Sequence, residues 1–298
     1  MAATIRPPPP RHLDGIQVFL AAMRVGFTKM HGLGNDFIIC DAPAEEFVPS
    51  PELWRRLAER RTGIGFDQAL LLEKPHHPGT AAYYRVFNAD GGEVEQCGNG
   101  ARCIAALLRS RGALANGSVT LESAAGLVRA RMAADDLVAI DLGVPDFAPA
   151  ALPFEALGRS NAYRLHVAGE EIEIGAVSIG NPHAVIAVAD VATAPVERLG
   201  AALEHHPRFA HGVNVGFMQI VERSCIRLRV FERGSGETLA CGTGACAAVA
   251  VGRSRGELDA AVQVLLRGGE LRVNWEGPGE HIWLTGPAEV SFEGYFEV

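Results

Sequence analysis

The chain has 298 residues, 48% of them hydrophobic and 21% charged, which suits one large globular core or two of ordinary size and excludes a disordered or coiled-coil chain. Its net charge of -8 argues against nucleic acid as a partner, because that affinity rests on Lys and Arg neutralising phosphates. Six cysteines are too few for a secreted disulfide scaffold, and no apolar run approaches the roughly 20 residues of a membrane-spanning helix. The composition points to a cytoplasmic protein with reduced thiols, no membrane association and a small polar ligand.

Taken in chain order, residues 1–25 read as a flexible extension, with prolines at 7–10 and no strand signal before residues 26–30. Met23 is an alternative start of translation that would leave the first 22 residues out of the chain. Strand patterns follow at 36–40, 68–72, 81–87, 118–122, 126–132, 137–142, 163–167, 171–178, 183–188, 214–222, 226–231, 262–266, 270–275, 281–285 and 288–293. Helices are expected at 101–111 and 245–255, where Ala, Leu and Val run to a basic last turn and stop at Gly112 and Gly256. Strands outnumber helices, so the expected fold class is α+β with antiparallel or mixed sheets.

An internal repeat answers the domain question. Residues 85–114 (RVFNADGGEVEQCGNGARCIAALLRSRGAL) align without a gap on residues 229–258 (RVFERGSGETLACGTGACAAVAVGRSRGEL) at an offset of 144, with fifteen of thirty positions identical. A weaker echo pairs Gly34 and Asn35 with Gly180 and Asn181 at an offset of 146. Each half carries a Gly-Asn turn, a strand leading to Cys-Gly-x-Gly, and a helix.

Cys97 and Cys241 occupy the same place in each repeat, just before a helix. Backbone N–H groups there can face an anion, and the helix end favours a thiolate, so each cysteine is a candidate base near neutral pH. A single such cysteine is more often a small buried hydrophobe; the duplication reverses that preference. Cys40, Cys103, Cys225 and Cys246 read as packing residues. Spacings of five and six within one helix do not make a zinc knuckle, and no Gly-Lys-Ser/Thr ends the turns, so neither a metal nor a phosphate loop is expected.

The motifs KMHGLGNDF (29–37), GFDQ (65–68), NADG (88–91), EQCGNGARC (95–103), GNPH (180–183) and ERG through ACGTGA (232–245), in that order, make the chain similar to the diaminopimelate epimerase family. The resemblance runs from about residue 26 to the C-terminus. It implies two pseudo-symmetric domains, each a barrel-like mixed sheet around a central helix, with boundaries at 26–142 plus 287–298 and at 143–286. It implies a cofactor-independent, metal-free isomerase of lysine biosynthesis that inverts one α-carbon of diaminopimelate between the LL and meso forms. Cys97 is then the proton donor and Cys241 the acceptor for LL to meso, with His183 and Glu232 tuning the thiols. Gly98, Asn99, Gly242 and Thr243 hold the α-carboxylate; Arg233 takes the distal carboxylate and Glu232 an ammonium. Asn35, Gln68, Asn88, Asn181 and Asn214 match the family's amide ligands.

Plain readings stand beside these. Asn35 and Asn181 are good turn residues, residues 88–92 suit a hairpin turn, Glu232 and Arg233 suit a solvated loop, and His183 suits a buried strand. Other functions remain open: a two-cysteine racemase of the proline or hydroxyproline type, or a non-catalytic binding protein on the same fold. The oligomeric state is also open, a homodimer being one option.

Overall fold

The computed structural model describes residues 23–42, 47–94, 97–114 and 117–298. The expected extension at 1–22 and residues Glu95 and Gln96 of the cysteine motif lie outside the described residues. In chain order the elements begin with β1 (Arg24–Gly32), β2 (Asn35–Asp41), α1 (Pro51–Ala58), β3 (Gln68–Glu73), β4 (Tyr83–Asn88), β5 (Glu93–Val94), α2 (Gly98–Ser110), β6 (Ser118–Ser123), β7 (Gly126–Met132) and β8 (Val138–Asp141). They continue with β9 (Tyr163–Val167), β10 (Glu170–Ser178), β11 (Pro182–Ala187), α3 (Val196–Glu204), β12 (Asn214–Glu222), β13 (Cys225–Glu232) and β14 (Gly236–Thr238). The last are α4 (Gly242–Ser254), β15 (Ala261–Leu266), β16 (Gly269–Asn274), β17 (Trp283–Gly286) and β18 (Glu289–Glu297).

Two compact units result, one of the residues up to Gly32, Asp36–Leu127 and Ala288–Val298, the other of Leu33–Asn35 and Val128–Pro287. Both ends of the expected first domain move. Residues 128–142 join the second unit because β8 pairs antiparallel with β17, Val138 opposite Gly286 and Asp141 opposite Trp283. Residues 24 and 25, expected in the extension, are strand: Arg24 lies opposite Glu297 and Val25 opposite Phe296, with Val25 buried. The C-terminal strand β18 thus completes the first unit.

The two units are wired alike. In the first, β2 runs parallel to β3, β3 antiparallel to β4, β4 antiparallel to β5, and β4 parallel to β6. In the second, β11–β12, β12–β13, β13–β14 and β13–β15 repeat that sequence of directions. Each β4–β5 type hairpin is clamped by a bidentate ion pair: Arg85 on Glu93 at 2.7 and 2.7 Å, and Arg229 on Glu237 at 2.6 and 2.8 Å. Two parallel N–H···O bonds fix the strand pair in register, which a point-charge lysine does not do.

Two helices absent from the sequence reading cover these sheets. Helix α1 is short but well started: Ser50 Oγ accepts from Leu53 N at 3.2 Å, Pro51 stands at the first turn, and Leu53, Trp54, Leu57 and Ala58 form its buried stripe. Trp54 packs edge-on against Phe66 and tilted against Phe87. Helix α3 does the same in the second unit through Val196, Leu199 and Leu203, against a cluster that includes Phe154, Phe209 and Phe231. The central helices are buried over most of their length, α2 emerging only at Arg109 and Ser110. Helix α4 touches β10 to β13, β16 and β17 of its own unit, which is why residues 245–252 are small or aliphatic throughout.

Candidate active site

Both central helices start three residues earlier than the sequence pattern indicates, so Cys97 and Cys241 are the N-cap residues themselves, in extended backbone at φ -141° and -126°. Gly98, Asn99, Gly242 and Thr243 form first turns, where N–H groups have no acceptor within the helix. The second glycine of each motif answers to packing. A Cβ on Gly100 sits 3.0 Å from Leu70 of β3, and one on Gly244 sits 3.2 Å from Val230 of β13 and 3.3 Å from the Cys241 sulfur. Each helix end therefore lies directly on its strand. At the other end, Gly112 and Gly256 take φ of +72° and +76°, and their N–H groups close the last turn on Arg109 O and Arg253 O at 2.9 Å.

In the second unit, Cys241 is buried and its sulfur accepts from Gly244 N at 3.4 Å and lies 3.6 Å from Thr243 Oγ1. Burial pushes this thiol well above its ordinary range, and the nearby Glu232 carboxylate pushes the same way, while the Thr243 and Gly244 bonds pull back. The helix end alone does not win here, contrary to the lowering read from the sequence. Glu232 is raised too, first by burial, against hydrogen bonds from Thr238 and Cys241. His183 is fully buried and pushed down to about 3, by burial and then by the Arg233 charge, so it is neutral. Its Nε2 lies 2.9 Å from Asn181 Oδ1, so this nitrogen carries the hydrogen.

Asn214, one strand over from His183, is spent on main chain. Its Nδ2 donates to Pro182 O at 3.0 Å and its Oδ1 accepts from Arg233 N at 3.0 Å. The amide thereby braces the turn that presents Arg233, whose guanidinium donates to His211 O at 2.8 Å. Glu204 adds a second brace, its buried carboxylate accepting from Gly234 N at 2.6 Å.

In the first unit Gln68 and Asn88 face each other in register, and Gln68 Nε2 donates to Asn88 Oδ1 at 2.9 Å. Their strand ends are held by a charged network. Asp36 and Asp67 each accept the other's N–H, at 3.2 and 2.9 Å. Arg60 grips both Asp36 oxygens at 2.9 Å and Asp67 at 2.7 Å, and buried Lys29 lies 2.6 Å from Asp36 while also donating to Gly65 O. Burial alone raises Asp36; the Arg60 and Lys29 bonds and charges overcome it and hold the carboxyl far below its usual range. Asn35 opens β2 behind Gly34 at φ +86°, as Asn181 follows Gly180 at +81°.

The sequence pattern groups these residues without showing which amides serve the backbone. It gives no role to Glu204, Thr238, Arg60, Asp67 or the Lys29–Asp36 pair, although Lys29, Asp36, Asp67 and Thr238 lie within its motifs. Cys40, Cys103 and Cys246 are fully buried and Cys225 nearly so; burial pushes Cys103 up to about 12, which keeps it an inert thiol. Among the described residues no group of three His, Cys, Asp or Glu side chains is placed to hold a metal, and no helix is long and apolar enough to cross a membrane.

This α+β architecture of two like-wired units is shared with a hydroxyproline epimerase from Agrobacterium vitis (TM-score 0.66, 19% identity, 92% of this chain and 93% of that one) and with a methylitaconate-delta-isomerase (TM-score 0.65, 15% identity, 93% and 96%). Those identities define a fold class and no more. The diaminopimelate epimerase model matches residues 27–148 and 175–291. Diaminopimelate epimerases of Nitrosomonas europaea and Thioalkalivibrio sulfidiphilus are each 54% identical to this chain, covering 93% of it and 100% of their own lengths. The chain belongs to the diaminopimelate epimerase family and is an isomerase of that family's kind.

Proposed function

We propose that the enzyme interconverts LL- and meso-diaminopimelate by carrying protons on two thiols, one per unit, in the biosynthesis of lysine and peptidoglycan precursors. The observation that carries this reading is the duplicated cysteine N-cap in a chain of this family: inversion of a carbon needs a base on one face and an acid on the other. For LL to meso, Cys241 takes the α-proton and Cys97 delivers one to the opposite face; the roles exchange for the reverse reaction. One sulfur must be thiolate while the other is thiol, so the pair titrates as a unit.

Gly98, Asn99, Gly242 and Thr243 supply N–H groups where carbanion charge spreads into the α-carboxylate. Arg233 takes the distal carboxylate, Glu232 an ammonium, and Asn35, Gln68, Asn88, Asn181 and Asn214 the remaining polar edges, Asn214 through the turn it braces. The chemistry needs neither metal nor pyridoxal phosphate. The enzyme acts on this small zwitterion in the cytoplasm, as a monomer or a homodimer, and not on nucleic acid.

Deuterium uptake from D₂O at the α-carbon tests this directly. LL- and meso-diaminopimelate are expected to exchange with turnover while proline and hydroxyproline do not. Exchange of proline without exchange of diaminopimelate overturns the choice of substrate, and no exchange with either marks a binding protein.

A further inference from the structure

A short side-chain bond in the second unit comes from Thr238, at the end of β14. Its Oγ1 donates to Glu232 Oε1 at 2.6 Å, across the β13–β14 hairpin. Glu232 in turn acts on the Cys241 thiol electrostatically, raising it. Thr238 is thus linked through Glu232 to Cys241 inside the second unit.

The duplication supplies a control. At the 144-residue offset, Glu232 corresponds to Asn88, Thr238 to Val94 and Cys241 to Cys97. The hairpins share their register, Val86 opposite Val94 in one and Val230 opposite Thr238 in the other. Asn88 takes its bond from Gln68 instead. A valine therefore fits this hairpin position, and the hydroxyl is present only in the copy that carries a carboxylate at the position of Glu232.

We propose that Thr238 is a positioning residue for proton transfer at Cys241, its hydroxyl fixing the rotation of the Glu232 carboxylate against the thiol. The proposal rests on the reading of Cys241 as a proton carrier. A carboxyl group is the stronger acceptor of an S–H bond when ionised, and each donor it receives favours that form. Its terminal torsion is soft, so a donor on one oxygen also decides where the rest of the group points. Among the described residues its titratable or charged neighbours include Cys241 at the start of α4, Arg233, which follows it in the chain with its N–H held by Asn214 of β12, and His183 of β11, which is neutral. Glu237 on the opposite strand is engaged by Arg229 and Arg267.

The test is the pH profile of kcat/KM for diaminopimelate in the wild-type enzyme, Thr238→Val and Thr238→Ser, with Cys241→Ala alongside. Thr238→Val is expected to move the acidic limb upward by roughly one pH unit, the size of one lost hydrogen bond to a charged group. Thr238→Ser keeps the donor and is expected to keep the wild-type limb. An unmoved limb in Thr238→Val, a lower plateau alone, or a Thr238→Ser profile that follows Thr238→Val overturns the proposal. Where Thr238→Val fails to fold, the same comparison of Thr238→Ala with Thr238→Ser decides it. Turnover persisting in Cys241→Ala instead refutes the reading of Cys241, so the two failures are told apart.

Discussion

Around Cys97 three register positions hold Phe37, Asn88 and Val94; in the other unit the corresponding positions hold His183, Glu232 and Thr238. Backbone and wiring are shared, and at these three positions ionisable groups stand only in the second unit. The lesson is that a strand position is set by pairing register and hairpin length, so its side chain can change from amide to acid, or from apolar to polar, without altering the strand wiring. What both copies retain is the part that sets geometry: the cysteine N-cap, the close-packed glycine, the Arg–Glu clamp and the glycine stop. Even there one partner differs, since Glu73 joins the Arg85 pair and Arg267 joins the Glu237 pair.

If the units are unlike in electrostatics but equal in each supplying one proton carrier, then Cys97→Ala and Cys241→Ala each lose epimerisation by roughly a thousandfold or more, with unchanged circular dichroism. Retention of turnover by either variant breaks the comparison at its root. The glycines separate packing from chemistry. Gly100→Ala and Gly244→Ala are each expected to destabilise by about 1–3 kcal/mol through overpacking, read from denaturant unfolding. Gly244→Ala also presses on the Cys241 sulfur, 3.3 Å away, whereas Gly100→Ala meets the tip of Leu70, with the Cys97 Cβ at 3.5 Å. Turnover should therefore fall further in Gly244→Ala, and equal losses argue that the two helix ends are functionally alike.

A further effect, confined to acid pH, concerns His183, whose counterpart is Phe37. Its folded pKa of about 3 lies below the ordinary 6.5, so between these values only the unfolded chain takes up the proton. Stability is then lost as pH falls from 6.5 towards 3, at up to roughly 1.4 kcal/mol per pH unit. His183→Phe, which copies the first unit, is expected to flatten that acid-side loss in unfolding free energies compared at pH 7 and pH 5. An unchanged slope rejects a neutral, buried His183.

Much of this was legible beforehand because it is local or repeated. The glycine stops of both central helices, nearly all strands and the paired cysteines follow from period, punctuation and self-similarity. Helices α1 and α3 escaped because eight or nine residues carry little periodic signal, and their stability comes from Trp54 or Leu203 meeting a distant cluster. Thr238 was visible as a Val-to-Thr change beside an Asn-to-Glu change in the aligned repeats, but nothing in one dimension ties those two changes together.

Sequence alone determined the duplication, the glycine stops of the central helices and the family, since each is written in contiguous residues. Tertiary structure decided where residues 128–142 belong, which amides serve the backbone, and that Cys241 is raised rather than lowered. Those outcomes depend on strand pairing, burial and the approach of a carboxylate from another strand, quantities that exist only after the chain has folded.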